Sequence, residues 1–474
     1  MRFNYYIIFI ILLSLSYFVS NPILGVVYTS IAVIATIFRD KIMIAFLFIY
    51  YPLRPLLTMF NSGLMLLGDA IIITAFIKVL VVNRDHIWRK LKPLQPFIYF
   101  FVFLLLGSIV ALIHNVTYTA IAIELRALGV LTLLVAIFAI QIWKREDFHS
   151  IITWSIITSV LISLHGIIEK LYSRTILIPS EWQEWNLSSV NIDRVYGTLA
   201  NPNVLANYLL IVFFLSFLVK PQTKTGKISL VSAQVIIFYT GTLTGSRGAF
   251  LAMIIGFLIY VIISRNLQFI KRVGLAVLLS LFLFGPIMSY VDQQLNYENE
   301  TTHEQGTEEI EEGNQDGLSF ISRFKSMFSS ETVEASTEWG RIYIVIKGLE
   351  IFKDQHLFGT GLGTFGDAAT LLYSSPIYDD YDIPDDIYTD NQYIHILVAT
   401  GIVGTLLLLW FIISLLRQTL PNLSKNEKAL MISMVATLLT GCLYYNLLED
   451  KSFMLYFYSL LGIMLSRIRV MHYV

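Results

Sequence analysis

A chain of 474 residues that is 56% hydrophobic and only 14% charged, with a mean hydropathy of +0.68, carries more apolar surface than a soluble core can hide, which excludes a soluble globular protein. The single cysteine, Cys442, excludes a disulfide framework and a CxxC metal or redox site. The formal net charge of −1 averages two opposed regions: Asp292 to Gln392 holds 21 acidic and 5 basic residues, a net of −16, so the remainder is basic.

Apolar runs long enough to cross a bilayer, about 20 residues with about 17 as a working minimum, divide most of the chain. Met1 to Ser20, with Arg2 ahead of the run Ile7 to Leu13, has the outline of a signal peptide without a small-residue cleavage site, and reads as an uncleaved first span. Spans are expected near 5–20, 22–38, 42–58, 64–82, 97–114, 119–142, 149–170, 202–219, 229–244, 248–264, 273–291, 393–416, 429–447 and 452–468. The expected fold is an all-α polytopic membrane protein of about 12–14 transmembrane helices. It falls into three parts: transmembrane helices in 1–291, a large acidic loop in 292–392, and transmembrane helices in 393–474.

With a cytoplasmic N-terminus, the short inside segments carry 20 Lys and Arg, and the short outside segments carry 5: Lys170, Arg174, Arg194, Arg247 and Lys451. By the positive-inside rule this bias predicts both termini in the cytoplasm and the acidic loop outside. At about 1.5 Å of rise per residue, Arg54, Asp69, Glu124 and Arg126 then lie toward the outer ends of their helices, and His165, Glu169, Arg194, Arg247 and His395 lie near the outer surface. Only Lys78 falls in an inner half, close enough to the surface to snorkel. Charges gathered on one side predict an outward-facing polar cavity; the plainer alternative is structural ion pairing, Arg54 with Asp69 and Glu124 with a neighbour.

Three outside stretches have the composition of a site. Arg194 to Asn203, RVYGTLANPN, leads into a helix with Asn201 as its cap and Pro202 in the first turn, either a plain cap or an anion-welcoming N-terminus. Thr244 to Ala249, TGSRGA, frees the backbone around Arg247, whose planar fork suits a phosphate. In the acidic loop, Asn296 to Asp316 is too polar to pack and reads as a solvated spacer. Beyond it, Arg341 to Asp354 places Ile342, Val345, Ile346, Leu349 and Phe352 on one face, predicting an amphipathic helix lying over the bundle. Gly359 to Gly366 lacks the preceding strand and the lysine of a nucleotide loop. Asp379 to Asp390 is dense in Asp and Tyr, and Asp390-Asn391 meets the start of the next span.

In order, GTLANPNVLANYL, TGSRGAFLA, GRIYIVIKGLEIFKDQHLFGTGLGTFG and DNQYIHILVATGIVG resemble the O-antigen ligase and polysaccharide polymerase family of bacteria, by motif from Arg194 to Leu408 and by span layout elsewhere. The resemblance implies a glycosyltransferase of the cytoplasmic membrane that uses no nucleotide sugar, no metal and no other cofactor. It would move a glycan from an undecaprenyl-diphosphate carrier to an acceptor at the outer face. It also implies that Arg247 and Arg341 grip the donor's diphosphate. Beside them, Arg194 and Arg126 are expected as supporting cations and Asn201, Asn203, Asn391 and His395 as substrate-binding residues. Ligases of the family carry His-Asn where this chain has Asp390-Asn391, so Asp390 becomes the candidate general base, with His395 as a substitute, and the polymerase branch is favoured. The expected partners are lipid-linked donor and acceptor, membrane lipid and other polysaccharide-assembly proteins, with no nucleic acid. A ligase passing finished glycan to another acceptor is the nearest alternative. A lipid-linked-sugar flippase should carry charge in both halves of the membrane, whereas here the inner half is nearly empty.

Overall fold

The computed structural model describes residues 14, 20–172, 174–185, 187, 189–283, 285, 340–385 and 387–471. The span expected at 5–20 (apart from Ser14 and Ser20), the end of the span at 273–291 and the tract Asn296 to Asp316 lie outside the described residues. Among the described residues there are helices and loops and no strand. The protein is an all-α polytopic membrane protein.

The main helices are α1 (Pro22–Phe60), α2 (Leu67–Val82), α3 (Phe97–Ile113), α4 (Tyr118–Gly129), α5 (Leu133–Ile140), α6 (Arg145–Leu171), α7 (Pro202–Ser216), α8 (Lys224–Leu243), α9 (Arg247–Ser264), α10 (Arg341–Asp354), α11 (Gln392–Thr419), α12 (Lys425–Gly441) and α13 (Lys451–Met471). Among the described residues, six spans are long and apolar enough to cross a membrane: Ser62–Val82, Tyr118–Ile140, Arg145–Leu171, Lys224–Leu243, Arg247–Ser264 and Gln392–Asn422. A seventh is the pair Arg84–Leu94 and Phe97–Ile113, bent by 84°, while Pro202–Ser216 and Lys451–Ser466 are shorter apolar helices. Local chemistry starts many of them. Side chains of Asn21, Thr117, Asn201, Thr223, Asn391 and Ser424 accept backbone N–H bonds at helix N-termini, and Ser424 with Glu427 completes a capping box.

The chain forms two compact units. One comprises 1–154, 248–265 and 336–474; the other comprises 155–247 and 266–335. In the first, α1 runs through both spans expected at 22–38 and 42–58, with a break at Arg39 (φ −138°, ψ 46°). Charges gather at that break. Lys78 bonds Asp40 at 2.9 Å, Gln141 bonds the other oxygen of Asp40, and Lys41 lies 3.7 Å from Asp147. Lys78 therefore pairs with a carboxylate rather than reaching for the surface.

The centre of the first unit is a second break. Gly401 (φ 61°) interrupts α11 about two turns from its start, freeing backbone groups that in a membrane must find partners inside the protein. Val398 O and Ala399 O accept from Thr360 N (2.9 Å) and Gly361 N (2.8 Å), and Ile402 N and Val403 N donate to His356 O (2.9 Å) and Leu357 O (3.1 Å). Leu362 N donates to Gly107 O of α3 at 3.0 Å. Residues 359–367 are all buried. The glycine-rich stretch is thus an inserted segment wedged between α3 and α11, and glycine is required there because the backbones touch.

The helix expected at Arg341 to Asp354 forms as α10, with the opposite face inward. Ile344, Gly348 and Ile351 are buried in a cluster with Phe365 and Val398, while Ile342, Ile346 and Leu349 are exposed. Counting apolar residues picks the richer face. The structure instead buries the face that Gly348 lets approach α11, and the richer face is left for the apolar surroundings of a membrane protein.

At Gly361 (φ +104°) an added Cβ would lie 2.2 Å from the Ala111 backbone, whereas at Gly274 nothing lies within 4 Å. Strain of this kind costs about 1–3 kcal/mol before any clash. Gly361→Ala should lower the apparent melting temperature of the purified protein clearly, and Gly274→Ala should leave it nearly unchanged; equal effects would contradict the wedge.

Candidate active site

In the first unit, Arg341 opens α10 and Asp390 stands one residue before Asn391, the cap of α11. Asn391 Oδ1 accepts from Tyr393 N (3.0 Å) and Ile394 N (3.2 Å), so its side chain is committed to starting the helix. The packing of α10 on α11 brings Arg341 to Asp390. Nη2 and Nε of the guanidinium point at the same Oδ2, at 3.3 and 3.4 Å. The two side chains are 50% and 31% exposed, and a pair this open is worth about 0–1 kcal/mol, so a stronger anion can replace Asp390 at Arg341. The Asp- and Tyr-rich stretch is strapped to α10: Lys347 Nζ donates to Tyr381 O (2.7 Å), Tyr381 Oη to Asp354 Oδ2 (3.0 Å), and Tyr343 Oη to Asp382 O (3.3 Å).

In the second unit, Arg194 is held by three acceptors: Thr244 O (2.8 Å), Asn191 Oδ1 (3.1 Å) and Asn203 Oδ1 (2.9 Å). Ser246 Oγ donates to the same Asn203 oxygen at 2.8 Å. Asn203 therefore ties the Arg194 loop to the turn that presents Arg247, which begins α9. Asn201 acts as the plain cap, accepting from Asn203 N (2.8 Å) and Val204 N (3.2 Å). Two contributors were not singled out as site residues from the sequence. Buried Glu169 accepts from Tyr196 N (3.0 Å) and Gly197 N (2.6 Å), and Arg174 lies over the rings of Trp185 and Tyr196 at 5.4 and 4.3 Å.

Back in the first unit, Asp69 is ion-paired, as the plainer alternative had it, but with Arg126 rather than Arg54, and Arg126 Nη2 donates to Met65 O at 3.1 Å. Arg54 donates to the same carbonyl at 3.4 Å, and Tyr51 Oη donates to Asp69 Oδ1 at 3.2 Å. His395, one turn into α11, is 1% exposed. It faces Asp367 (3.5 Å to Oδ2) and Glu449 (3.9 Å), with Gln392 Nε2 at 2.9 Å from its Nδ1. Burial pushes the Glu449 carboxyl up to about 7, offset in part by His395 and reinforced by Asp367. Asp367 and Glu449 lie 28 and 54 residues from His395 in the chain, so spacing gave no hint that they meet it.

A family model described as O-antigen ligase matches residues 232–409, a stretch that includes Arg247, Arg341, Asp390, Asn391 and His395. This supports placing the chain in the O-antigen ligase and polysaccharide polymerase family. No curated relative matches the chain at a significant level.

Asn203→Ala leaves Arg194 and Ser246 without their shared acceptor, a loss of about 1–3 kcal/mol, whereas Asn201→Ala removes one cap, about 1 kcal/mol. Thermal unfolding of the two variants should rank them in that order; a milder effect at Asn203 would show that it does not hold the Arg247 turn.

Proposed function

We propose that this protein is a polymerase of a bacterial cell-surface polysaccharide, of the teichuronic acid, capsule or exopolysaccharide type, acting at the outer face of the cytoplasmic membrane. The donor is the growing glycan on undecaprenyl diphosphate, and the acceptor is the terminal sugar of a lipid-linked repeat unit. Both termini are cytoplasmic and the loop 292–392 is extracytoplasmic in this reading, in keeping with the distribution of Lys and Arg. The reading rests on Arg341 and Asp390, an anion-binding cation and a carboxylate in contact, 3.3 Å apart within the family-matched region.

Transfer forms a bond from the acceptor hydroxyl oxygen to the anomeric carbon and breaks the bond from that carbon to the diphosphate. The leaving group is undecaprenyl diphosphate, and the hydroxyl proton passes to Asp390 Oδ2. Before donor arrives, Arg341 keeps Asp390 occupied. A diphosphate carries more charge than a carboxylate, so its arrival at Arg341 displaces Asp390 and frees the base when there is something to transfer. Arg247 adds a second cation for the leaving group; fixed charge aimed at developing charge is commonly the largest catalytic contribution. Arg194, already saturated, and Arg126, paired with Asp69, contribute field rather than contact. Asn201, Asn203 and Asn391 shape the site through caps and turns. His395, being buried, positions α11. Transfer of finished glycan by a ligase would use the same groups, but a carboxylate where ligases carry histidine favours the polymerase.

Arg247→Lys should impair polymer formation nearly as much as Arg247→Ala, on the order of 10²-fold, because a point charge does not replace the fork. Asp390→Asn should abolish transfer while leaving carrier binding largely intact. Normal polymerisation by Asp390→Asn would remove Asp390 as the base. Cysteines at Ser319 and Asn83 report the orientation: Ser319→Cys should label from outside and Asn83→Cys only after permeabilisation, and the reverse pattern would overturn the assignment to the outer face.

A further inference from the structure

One group of side chains is unused by the transfer chemistry. Glu124 sits on α4 one turn beyond Ala120, on the face that packs against Ala369. Its side chain is fully buried, and neither carboxylate oxygen has a hydrogen-bond partner. Asp367, also fully buried, spends Oδ1 on Ala369 N (2.9 Å) and Thr370 N (3.0 Å), leaving Oδ2 without a partner. Glu449, its side chain 5% exposed, is held by Ala368 N (3.1 Å) and Asn446 Nδ2 (3.2 Å). Ligand-type atoms of Glu124, Asp367 and His395 all lie within 4.8 Å of one another.

The proton on His395 can be placed. Leu448 N donates to Gln392 Oε1 at 3.0 Å, which fixes the amide so that its Nε2 donates to His395 Nδ1. A neutral imidazole accepting at Nδ1 carries its hydrogen on Nε2, and that N–H faces Asp367 Oδ2 at 3.5 Å. His395 therefore turns a hydrogen and not a lone pair toward Asp367, without closing a hydrogen bond, and the converging groups with lone pairs to give are carboxylates. Three carboxyl groups and one histidine total at least two negative charges when the acids are ionised. Buried charge of one sign is expensive unless a cation joins it.

We propose that Glu124 and Asp367, with Glu449 beside them and His395 behind Asp367, form a binding site for a hard divalent cation such as Mg2+, Ca2+ or Mn2+. Oxygen ligands select that class over zinc or copper, and the N–H of His395 beside Asp367 Oδ2 is placed to orient that carboxylate once a cation draws it in. The site joins α4, the inserted glycine-rich segment, α11 and the turn before α13. Its role is to clamp the insertion; it is independent of the transfer chemistry and of whether the protein is a polymerase.

The test uses full-length protein in lipid nanodiscs after treatment with a chelator. Electron paramagnetic resonance of added Mn2+ should show one saturable site per chain, and Mg2+, Ca2+ or Mn2+ should each raise the apparent melting temperature by several degrees. Glu124→Gln keeps the shape and removes the charge, and it should lose both the Mn2+ site and the cation-dependent rise. If that variant does not accumulate, Asp367→Asn serves the same purpose. A chelator-treated wild type that binds no stoichiometric Mn2+ and melts at a cation-independent temperature overturns the proposal and leaves protons as the occupants. Binding that persists unchanged in the variant overturns it in favour of surface carboxylates.

Discussion

The first unit is organised by an exchange of backbone hydrogen bonds at the break in α11. A helix that stops and restarts at Gly401 exposes carbonyls on one side and N–H groups on the other, and the segment from His356 to Gly361 answers both. In lipid such groups cannot turn to water, so the break and the insertion require each other. Everything attached to the insertion inherits its position. α10 precedes it and lies on α11 through Ile344, Gly348 and Ile351, and Asp367 follows it into the acidic cluster. The position of Arg341 beside Asp390 depends on this backbone lock more than on the weak ion pair between them.

The charges of this unit follow one rule at different depths. Where a charge is mostly withdrawn from the surface it is matched: Arg126 with Asp69, Lys78 with Asp40. Arg341 and Asp390 are half-open, which makes their match exchangeable. The cluster of Glu124, Asp367, Glu449 and His395 breaks the rule, having acids in excess and carboxylate oxygens with no donor. The exception is therefore informative, and it is the reason a cation rather than another side chain is assigned there.

Much of the helix layout was legible in the sequence because apolar length and capping residues are local properties: α7 starts at Asn201-Pro202 and α11 at Asn391, as read. What escaped reading depended on contacts between distant segments. Asp69 is near enough in sequence to Arg54 for that pair to be the obvious alternative to a cavity, yet Arg126, 57 residues away, takes the carboxylate. The inward face of α10 is chosen by Gly348 and its fit to α11, which no count of apolar residues on one helix reveals. The glycines from Gly359 to Gly366 were recognisable as unsuited to a nucleotide, but their purpose is visible only with Val398, Ala399 and Gly107 in place. His395, readable as a surface residue near a helix start, is buried because the insertion and the turn at Glu449 close over it.

The identity of residue 390 carries a consequence for how transfer is controlled. A neutral histidine at the head of α11 would have no electrostatic reason to contact Arg341, and the cation proposed to bind diphosphate would stand free of the proposed base. A carboxylate is drawn to the guanidinium, and each then blocks the other until an anion of higher charge intervenes. In the reaction proposed above, that mutual block discourages Asp390 from acting on a hydroxyl, water included, before a donor is seated. The exchange works only if the pair is weak, as its 3.3 Å separation and partial exposure allow, while the helices that present it are held rigidly by the insertion beneath. Rigid backbone and replaceable ion pair are thus complementary requirements of the same site.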